Sequence, residues 1–428
     1  MANIEIKSGA AEQKFLKSKG AGTDAAPFVP EHTISLTESL SDAFGRLRTS
    51  QPLALFAGKQ ILDNEPLFWD EGLESGGGIT SNWVKDEAAT TITSTLNTAG
   101  VFTRQTFQRF NYQPGKSQLI TMTGTLDLSG GGTGVQRRVG QFDDENGLFF
   151  EDDEGTVKVV MRSKVSGSVV DSKTTQASWN LDVMDGTGES GITVDWSKSQ
   201  IFVIDYKWLS VGRIRYGLDI NGAVHYVHAF NNANVNAGAY MSTPNLPLRY
   251  QIVTTSSSPA STFLCICATI ISEGGTSELG INRYVSTGNT HVNANIAGTI
   301  YAVVGMRLKS THLGAVVKQV AISALSKTAD DFEWLLILNP TVAGTFTYSG
   351  ETDSPIEAAF GATANTVTGG YIMAGDFIAT ASGASAALNN ERYMGSAIDG
   401  TPDEVVLCTR PLGANADIVG SITYKEVT

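Results

Sequence analysis

The chain of 428 residues carries 43 acidic against 30 basic side chains, a net charge of −13, together with 45 glycines. No basic footprint dominates of the kind that neutralises phosphates, which argues against a nucleic-acid partner, and no run approaches the roughly 18 apolar residues of a membrane span. The remainder is rich in Thr, Ser, Asn and Gly with few charged helix-formers in i, i+4 patterns, a composition that favours strands and tight turns.

The opening Met1-Ala2-Asn3-Ile4-Glu5 lacks the pattern of a signal peptide. Residues 1–50 read as an extended arm. Ala10 to Lys19 suits one short helix, Gly20-Ala21-Gly22 breaks it, and Pro27 and Pro30 bias Pro27 to Thr33 toward extended backbone. So little apolar content does not fold alone. The expectation is an arm ordered by neighbouring subunits, with Phe15, Leu16, Phe28 and Pro30 as its candidate assembly contacts.

From about Pro52 the pattern becomes globular. A first β-sandwich domain is expected over 51–280, a boundary at Gly274-Gly275-Thr276-Ser277, and a second β-rich domain over 281–428. Strand-like runs open at Leu119 to Thr123 and continue at 137–142, 148–151 and 156–162. Acidic turns Asp143-Asp144-Glu145-Asn146-Gly147 and Asp152-Asp153-Glu154-Gly155 separate the last three into an antiparallel meander. Ile201 to Ile204 follows.

Asn221-Gly222 lies between two alternating runs and predicts a two-residue hairpin. Its register sets Ile220 against Ala223, Leu218 against His225 and Tyr216 against Val227. One face is then apolar, while Arg213, Arg215, Asp219, Tyr226, His228 and Phe230 share the other. In the second domain 300–308, 315–325, 334–338, 404–409 and 421–427 read as strands, Asp330 to Glu333 as a helical turn, and 345–400 shows weak periodicity. The fold class is all-β: antiparallel sandwiches of the jelly-roll or concanavalin-like kind behind an N-terminal arm.

Little in the sequence points to chemistry. Pro114-Gly115-Lys116-Ser117 ends like a phosphate loop but has Phe110 where the first glycine belongs, and a strand follows it. The carboxylates of the two acidic turns could take Ca²⁺, yet match no EF-hand and read better as solvated turns. Cys265 and Cys267, two apart on an apolar run, fall on one strand face as small buried residues, and Cys408 stands alone. Paired carboxylates for glycoside cleavage are spatial and leave no signature. The expectation is no catalytic residue, no cofactor and no metal. The polar-aromatic hairpin face, Arg213, Arg215, Tyr226 and His228, is the candidate surface for a subunit interface or for glycan.

Several segments resemble large structural proteins encoded by tailed phages. They are Asp42-Ala43-Phe44-Gly45-Arg46-Leu47-Arg48, the stretches 107–117 (FQRFNYQPGKS), 142–150 (FDDENGLFF) and 241–250 (MSTPNLPLRY), then Gly305 to Ser310 and Ala416 to Val419. The similarity runs over most of the chain from Thr33 on. It implies a virion component assembled in the host cytoplasm, whose partners are copies of itself and other virion proteins, with head, neck, tail and fibre all open. It offers no catalytic residue. The leading expectation is an exterior homo-oligomeric accessory protein anchored by its arm. The alternative is a receptor-binding protein recognising host surface glycan. A depolymerase is disfavoured, because no internal repeat appears.

Overall fold

A computed structural model describes the backbone of residues 2–7, 13–19 and 29–30 and, from residue 50 on, all but 127–131, 380–381, 389–391, 414 and 428. Contacts divide the chain into Met1–Gln51 and Pro52–Thr428. Among the described residues the secondary structure is strands and three 3₁₀ turns of three residues each. The chain is all-β, and its strand pairings are antiparallel.

In the first unit Ala2–Lys7, Gln13–Lys19 and Val29–Pro30 form a three-stranded sheet in that order. This corrects the short helix expected over Ala10 to Lys19. Gln13–Lys19 pairs along its length with Ala2–Lys7, placing Ile4 opposite Leu16 and Glu5 opposite Phe15. The ladder satisfies the backbone groups a helix would have bonded internally. Of the arm candidates, Phe15 and Leu16 lie on the central strand and Pro30 on the third, while Phe28 lies outside the described residues.

Within Pro52–Thr428 two sandwiches follow one another. The first packs a seven-stranded sheet, ordered Val170–Thr175, Thr156–Ser163, Gly147–Asp153, Val135–Phe142, Leu248–Thr254, Gly100–Thr106, Trp69–Gly76, on an eight-stranded one. The latter runs Ala223–Phe230, Ile214–Ile220, Gln200–Tyr206, Gln118–Thr125, Ser261–Ser272, Ala89–Ser94, Ile79–Val84, with Leu53–Gly58 also paired to Ser261–Ser272. Burial alternates strictly along Gln118–Thr125, so Ile120 and Met122 enter the core. Phe150 of one sheet meets Phe202 and Tyr216 of the other at ring distances of 5.1 and 5.5 Å. The buried Tyr216 hydroxyl donates across the sandwich to the Val160 carbonyl at 2.7 Å.

The second sandwich has its own core, from Val285 to Tyr424. One sheet runs Gly280–Ser286, Ala416–Val427, Val316–Ser326, Gly383–Ala387, with Val292–Ala294 also on Ala416–Val427. The other runs Ser349–Gly350, Ile356–Phe360, Tyr301–Leu308, Glu404–Pro411, Phe332–Leu338, Tyr371–Ile378. Asp330 to Glu333, expected as a helical turn, instead leads into strand: Phe332 is fully buried in this core and opens the run FEWLLIL. Strand alternation sends Phe332, Trp334, Leu336 and Leu338 into this core and Leu335 and Ile337 into a smaller cluster on the other face.

One ion pair ties the sheets of the first sandwich together from inside. Arg137 Nη1 lies 2.6 Å from Asp152 Oδ2, and neither side chain is exposed. The same guanidinium donates to the Leu126 and Thr262 carbonyls at 2.7 and 3.0 Å and to the Ser261 hydroxyl, so it spans to the opposite sheet. Burial pushes the Asp152 carboxyl up to about 6 even beside this cation. Breaking a buried pair leaves a charge and several carbonyls without partners, at a cost of about 3–5 kcal/mol. Arg137→Leu should therefore lower the unfolding free energy measured by urea denaturation by that amount, and a change below about 1 kcal/mol would show that the pair is dispensable.

Candidate functional site

The hairpin forms at Asn221-Gly222, whose φ angles of 56° and 79° are those of the tight turn that needs a left-handed Asn-Gly pair. Ile220 opposes Ala223 and Leu218 opposes His225, as the turn dictates, but Tyr216 opposes His228, not Val227. A bulge between Tyr216 and Gly217 in the ladder absorbs Val227 as an extra residue, and every pairing beyond it shifts by one.

The expected four-residue face is thereby divided. Arg215 and Tyr226 remain together: the guanidinium lies 4.0 Å over the phenol ring and pairs with Asp205, which also accepts from the Tyr226 hydroxyl at 3.0 Å. Burial, with the Asp205 carboxylate facing it, pushes the phenol up to about 12, so it stays a donor at neutral pH. His228 turns inward. It is 6% exposed, its Nδ1 accepts from the Asn180 amide at 3.3 Å, its ring packs edge-on to Phe230, and burial lowers its pKa. Arg213 stays exposed in the loop before the strand. The ring face a sugar would stack on is already occupied by Arg215.

A second bulge changes the cysteine pair. The ladder between Ser261–Ser272 and Gln118–Thr125 slips between Cys265 and Ala268, which leaves Cys265 buried and Cys267 exposed in place of the shared face expected. All three cysteines are free thiols. Pro114-Gly115 is a turn into strand Gln118–Thr125, with Lys116 Nζ on Gln113 Oε1 at 2.7 Å and Ser117 Oγ on Glu273.

The acidic turns are held by cations and backbone donors. Asp143 pairs with Arg109 at 2.6 Å, Asp144 with Arg249 at 2.6 Å, Glu145 with Lys164, and Asp153 with Lys158. Glu154 accepts from the Gly134 amide at 2.9 Å. Glu151 and Asp153 share one face of Gly147–Asp153, alternating with core-facing Phe150 and Asp152. Glu151 accepts from Arg138 at 2.8 Å and from Lys173 at 2.6 Å. The two carboxylates share Lys173, at 2.6 and 3.8 Å, and each is bound to a further cation.

Sequence reading missed the cleft these charges build. It has a volume of about 660 Å³ and lies between the 143–145 turn, Arg109 and Arg249 on one side and the loops 310–315 and 396–400 on the other. Asn245 Nδ2 donates to the Gly314 carbonyl at 3.1 Å, the Ile398 amide to Asp70 Oδ2 at 2.8 Å and the Ser396 amide to the Phe107 carbonyl at 3.0 Å, which fixes both loops to the first sandwich. Arg249 is 2% exposed and holds Gln105 as well as Asp144, whose own side chain is 64% exposed. His312 and Asp399 stand exposed on the opposite wall. Its charges are largely paired, so the cleft offers hydrogen-bonding groups with little net field. Arg109, Asp143 to Glu145, Arg249 and Ser310 lie up to 201 positions apart in the sequence. Only the acidic turn gave any signal.

No protein-family model matches the chain, and no curated protein matches it. Solved structures with a similar outline include an endo-1,3-β-glucanase from Streptomyces sioyaensis (9% identity, 53% of this chain and 98% of that one, TM-score 0.34). Others are a legume lectin-like domain from Entamoeba histolytica (9%, 52% and 99%, 0.32) and the CBM2 module of the evolved Dit of Lactobacillus casei BL23 phage J-1 (8%, 54% and 100%, 0.31).

Burial raises the Asp143 carboxyl, but Arg109 and the Asn146 and Glu145 amides outweigh it and hold it below its usual 3.8. A carboxyl lowered in the folded state stabilises the fold above its unfolded pKa and loses that contribution as pH falls through the folded one. Arg109→Leu should thus be less stable than the parent at neutral pH, with the gap narrowing as pH drops below about 4. Urea unfolding between pH 7 and 3 measures it. A gap independent of pH would mean that the guanidinium acts through packing alone.

Proposed function

We propose that this chain is a structural subunit of a tailed-phage virion and works by packing against copies of itself. The observation that carries the reading is where apolar surface is left open. Strands Gly280–Ser286 and Tyr371–Ile378 are edges of the two sheets of the second sandwich. On them Ile281 and Tyr284 are 65% and 69% exposed, and Tyr371, Ile372 and Phe377 are 51%, 59% and 65% exposed. Unpaired edge strands with large apolar side chains template association with another chain, and stable monomers guard against it. The edge strands of the seven-stranded sheet are guarded by Asp171 and Lys173 at one end and by Asp70, Glu71 and Glu74 at the other. The phage-like segments support placing the assembly in a virion. Sedimentation equilibrium of the purified chain should give a multiple of 45.4 kDa, and the chain should be found in purified particles. A monomer at every concentration, absent from particles, would contradict this.

The polar cleft favours a second reading, binding of a neutral, hydroxyl-bearing ligand such as a host glycan. Carboxylates and imidazole around a largely charge-paired floor suit sugar hydroxyls. On a glycan array Asp399→Ala with His312→Ala should weaken retention about tenfold, the worth of one charge-assisted hydrogen bond. Unchanged retention would exclude the cleft, and no retention by the parent would exclude the reading.

A further inference from the structure

We infer that strand Ile79–Val84 is a two-fold interface, pairing antiparallel with the same strand of a second copy so that two eight-stranded sheets become one. The inference rests on the assembly reading above and adds to it a contact on the first sandwich.

The strand is the terminal member of its sheet. It pairs on one side with Ala89–Ser94 along its whole length and without a slip. Its six residues, ITSNWV, include no charged side chain and no proline. It therefore carries none of the usual guards against edge pairing. The opposite end of the same sheet is closed. There the Leu181 and Asp182 amides donate to the Val227 carbonyl, and the Asn180 side chain bonds both backbone groups of Ala229. Gly280–Ser286 carries Arg283 at its centre, which would face its own like charge in a centred two-fold pair.

The inner ladder decides which backbone groups point outward. The Thr95 amide donates to the Gly78 carbonyl at 2.8 Å, and the register that sets Ile79 against Ser94 makes these two residues partners. Bonded and unbonded pairs alternate in an antiparallel ladder. Thr80, Asn82 and Val84 therefore bond inward, while the N–H and C=O groups of Ile79, Ser81 and Trp83 face the open edge. Among the described residues none of these groups has a partner there.

A two-fold axis perpendicular to a sheet sets residues of the same face opposite each other. With the axis at Ser81, Ser81 meets its own copy and Ile79 meets Trp83. Every outward group then finds a partner. An axis one residue along the strand in either direction would leave Ile79 or Trp83 facing a turn. On the outer face the exposed Thr80 meets the exposed Asn82. The Ser81 hydroxyl is turned inward onto Glu71 at 3.1 Å, and that carboxylate is held by Arg104, so no free charge stands at the axis. Lys85, which opens the charged turn after the strand, falls opposite Gly77, where no side chain stands in its way.

Apolar surface marks the same rim. Leu73 is exposed on Trp69–Gly76, the strand that leads into this one from the facing sheet. Ile61 and Leu62 are exposed directly after Gln60, whose carbonyl accepts from the Trp83 indole at 2.7 Å. A second copy seated on the edge would draw these side chains out of water.

Sedimentation velocity on the full chain and on Thr80→Lys with Asn82→Lys tests the interface. Both positions are exposed, and circular dichroism checks that the fold is kept. Like charges would then lie directly opposite across the axis, so this variant should lose one two-fold level of assembly, halving the mass of a dimer. Thr80→Glu with Asn82→Lys sets opposite charges at the same pairing and should restore it. In a Cys267→Ser background, which removes the exposed native thiol, Thr80→Cys with Asn82→Cys should form disulfide-linked dimers on oxidation, and neither single substitution should. An unbonded antiparallel pair brings its Cα atoms to about 4.5 Å, within disulfide reach. If the parent associates and the two-lysine variant associates equally, the strand is not the interface, although the assembly reading stands. If the parent is monomeric throughout, both fall. If the opposite charges restore nothing, or the double-cysteine chain links only within one chain or not at all, the two-fold register is wrong and the inference is overturned.

Discussion

An antiparallel sandwich can bury the facing sides of its two sheets but not their edges, and the last strand of each sheet keeps a row of unpaired N–H and C=O groups. This chain faces that constraint in both sandwiches and answers it differently from sheet to sheet. In the seven-stranded sheet the terminal strands bear charges, several locked in pairs such as Arg162 with Asp171 at 2.8 Å and Arg104 with Glu71. In the second sandwich the terminal strands bear Ile281, Tyr284, Ile372 and Phe377. The eight-stranded sheet of the first sandwich ends instead in AVHYVHAF and ITSNWV, with no Asp, Glu, Lys or Arg, so charge guards the edges of one sheet only.

The charged groups inside the first sandwich do a different job. Arg137 with Asp152 and Arg104 with Glu71 sit where apolar packing would serve stability as well or better, since desolvating an ion pair offsets much of its attraction. Their partners reach across from one sheet to the other and to the chain's loops: Arg104 also holds the Asn64 carbonyl at 2.6 Å and lies over the Trp69 ring. Such contacts are directional, so they fix how the sheets align. The cleft between the sandwiches follows the same logic. Arg109, Arg249, Asn245 and Asp70 join segments distant in sequence into one rigid joint.

Much of the fold was legible where burial is periodic. Residues 119–123, 137–142 and 201–204 alternate or run apolar, and each lies within a strand, as does the hairpin around Asn221-Gly222. Strands that face solvent gave no such signal. Trp69–Gly76 reads as WDEGLESG, and Tyr371–Ile378 sits in an Ala- and Gly-rich stretch whose exposed apolar residues defeat the inside-outside pattern. The candidate site failed for a sharper reason. One extra residue at Val227 exchanged the surroundings of His228, and another near Cys267 separated two cysteines, because alternation assumes a ladder without slips. Cross-strand partners such as Arg249 and Asp144, 105 positions apart, are set by the topology and cannot be read locally.

The central claim is that the open edges of the second sandwich are closed by other copies. Amide hydrogen exchange, followed peptide by peptide at two protein concentrations a hundredfold apart, addresses it directly. The outward amides of Gly280–Ser286 should be protected in the concentrated sample and exchange freely on dilution, while Gln118–Thr125 in the first core stays protected in both. Equal and rapid exchange of Gly280–Ser286 at both concentrations would contradict the account.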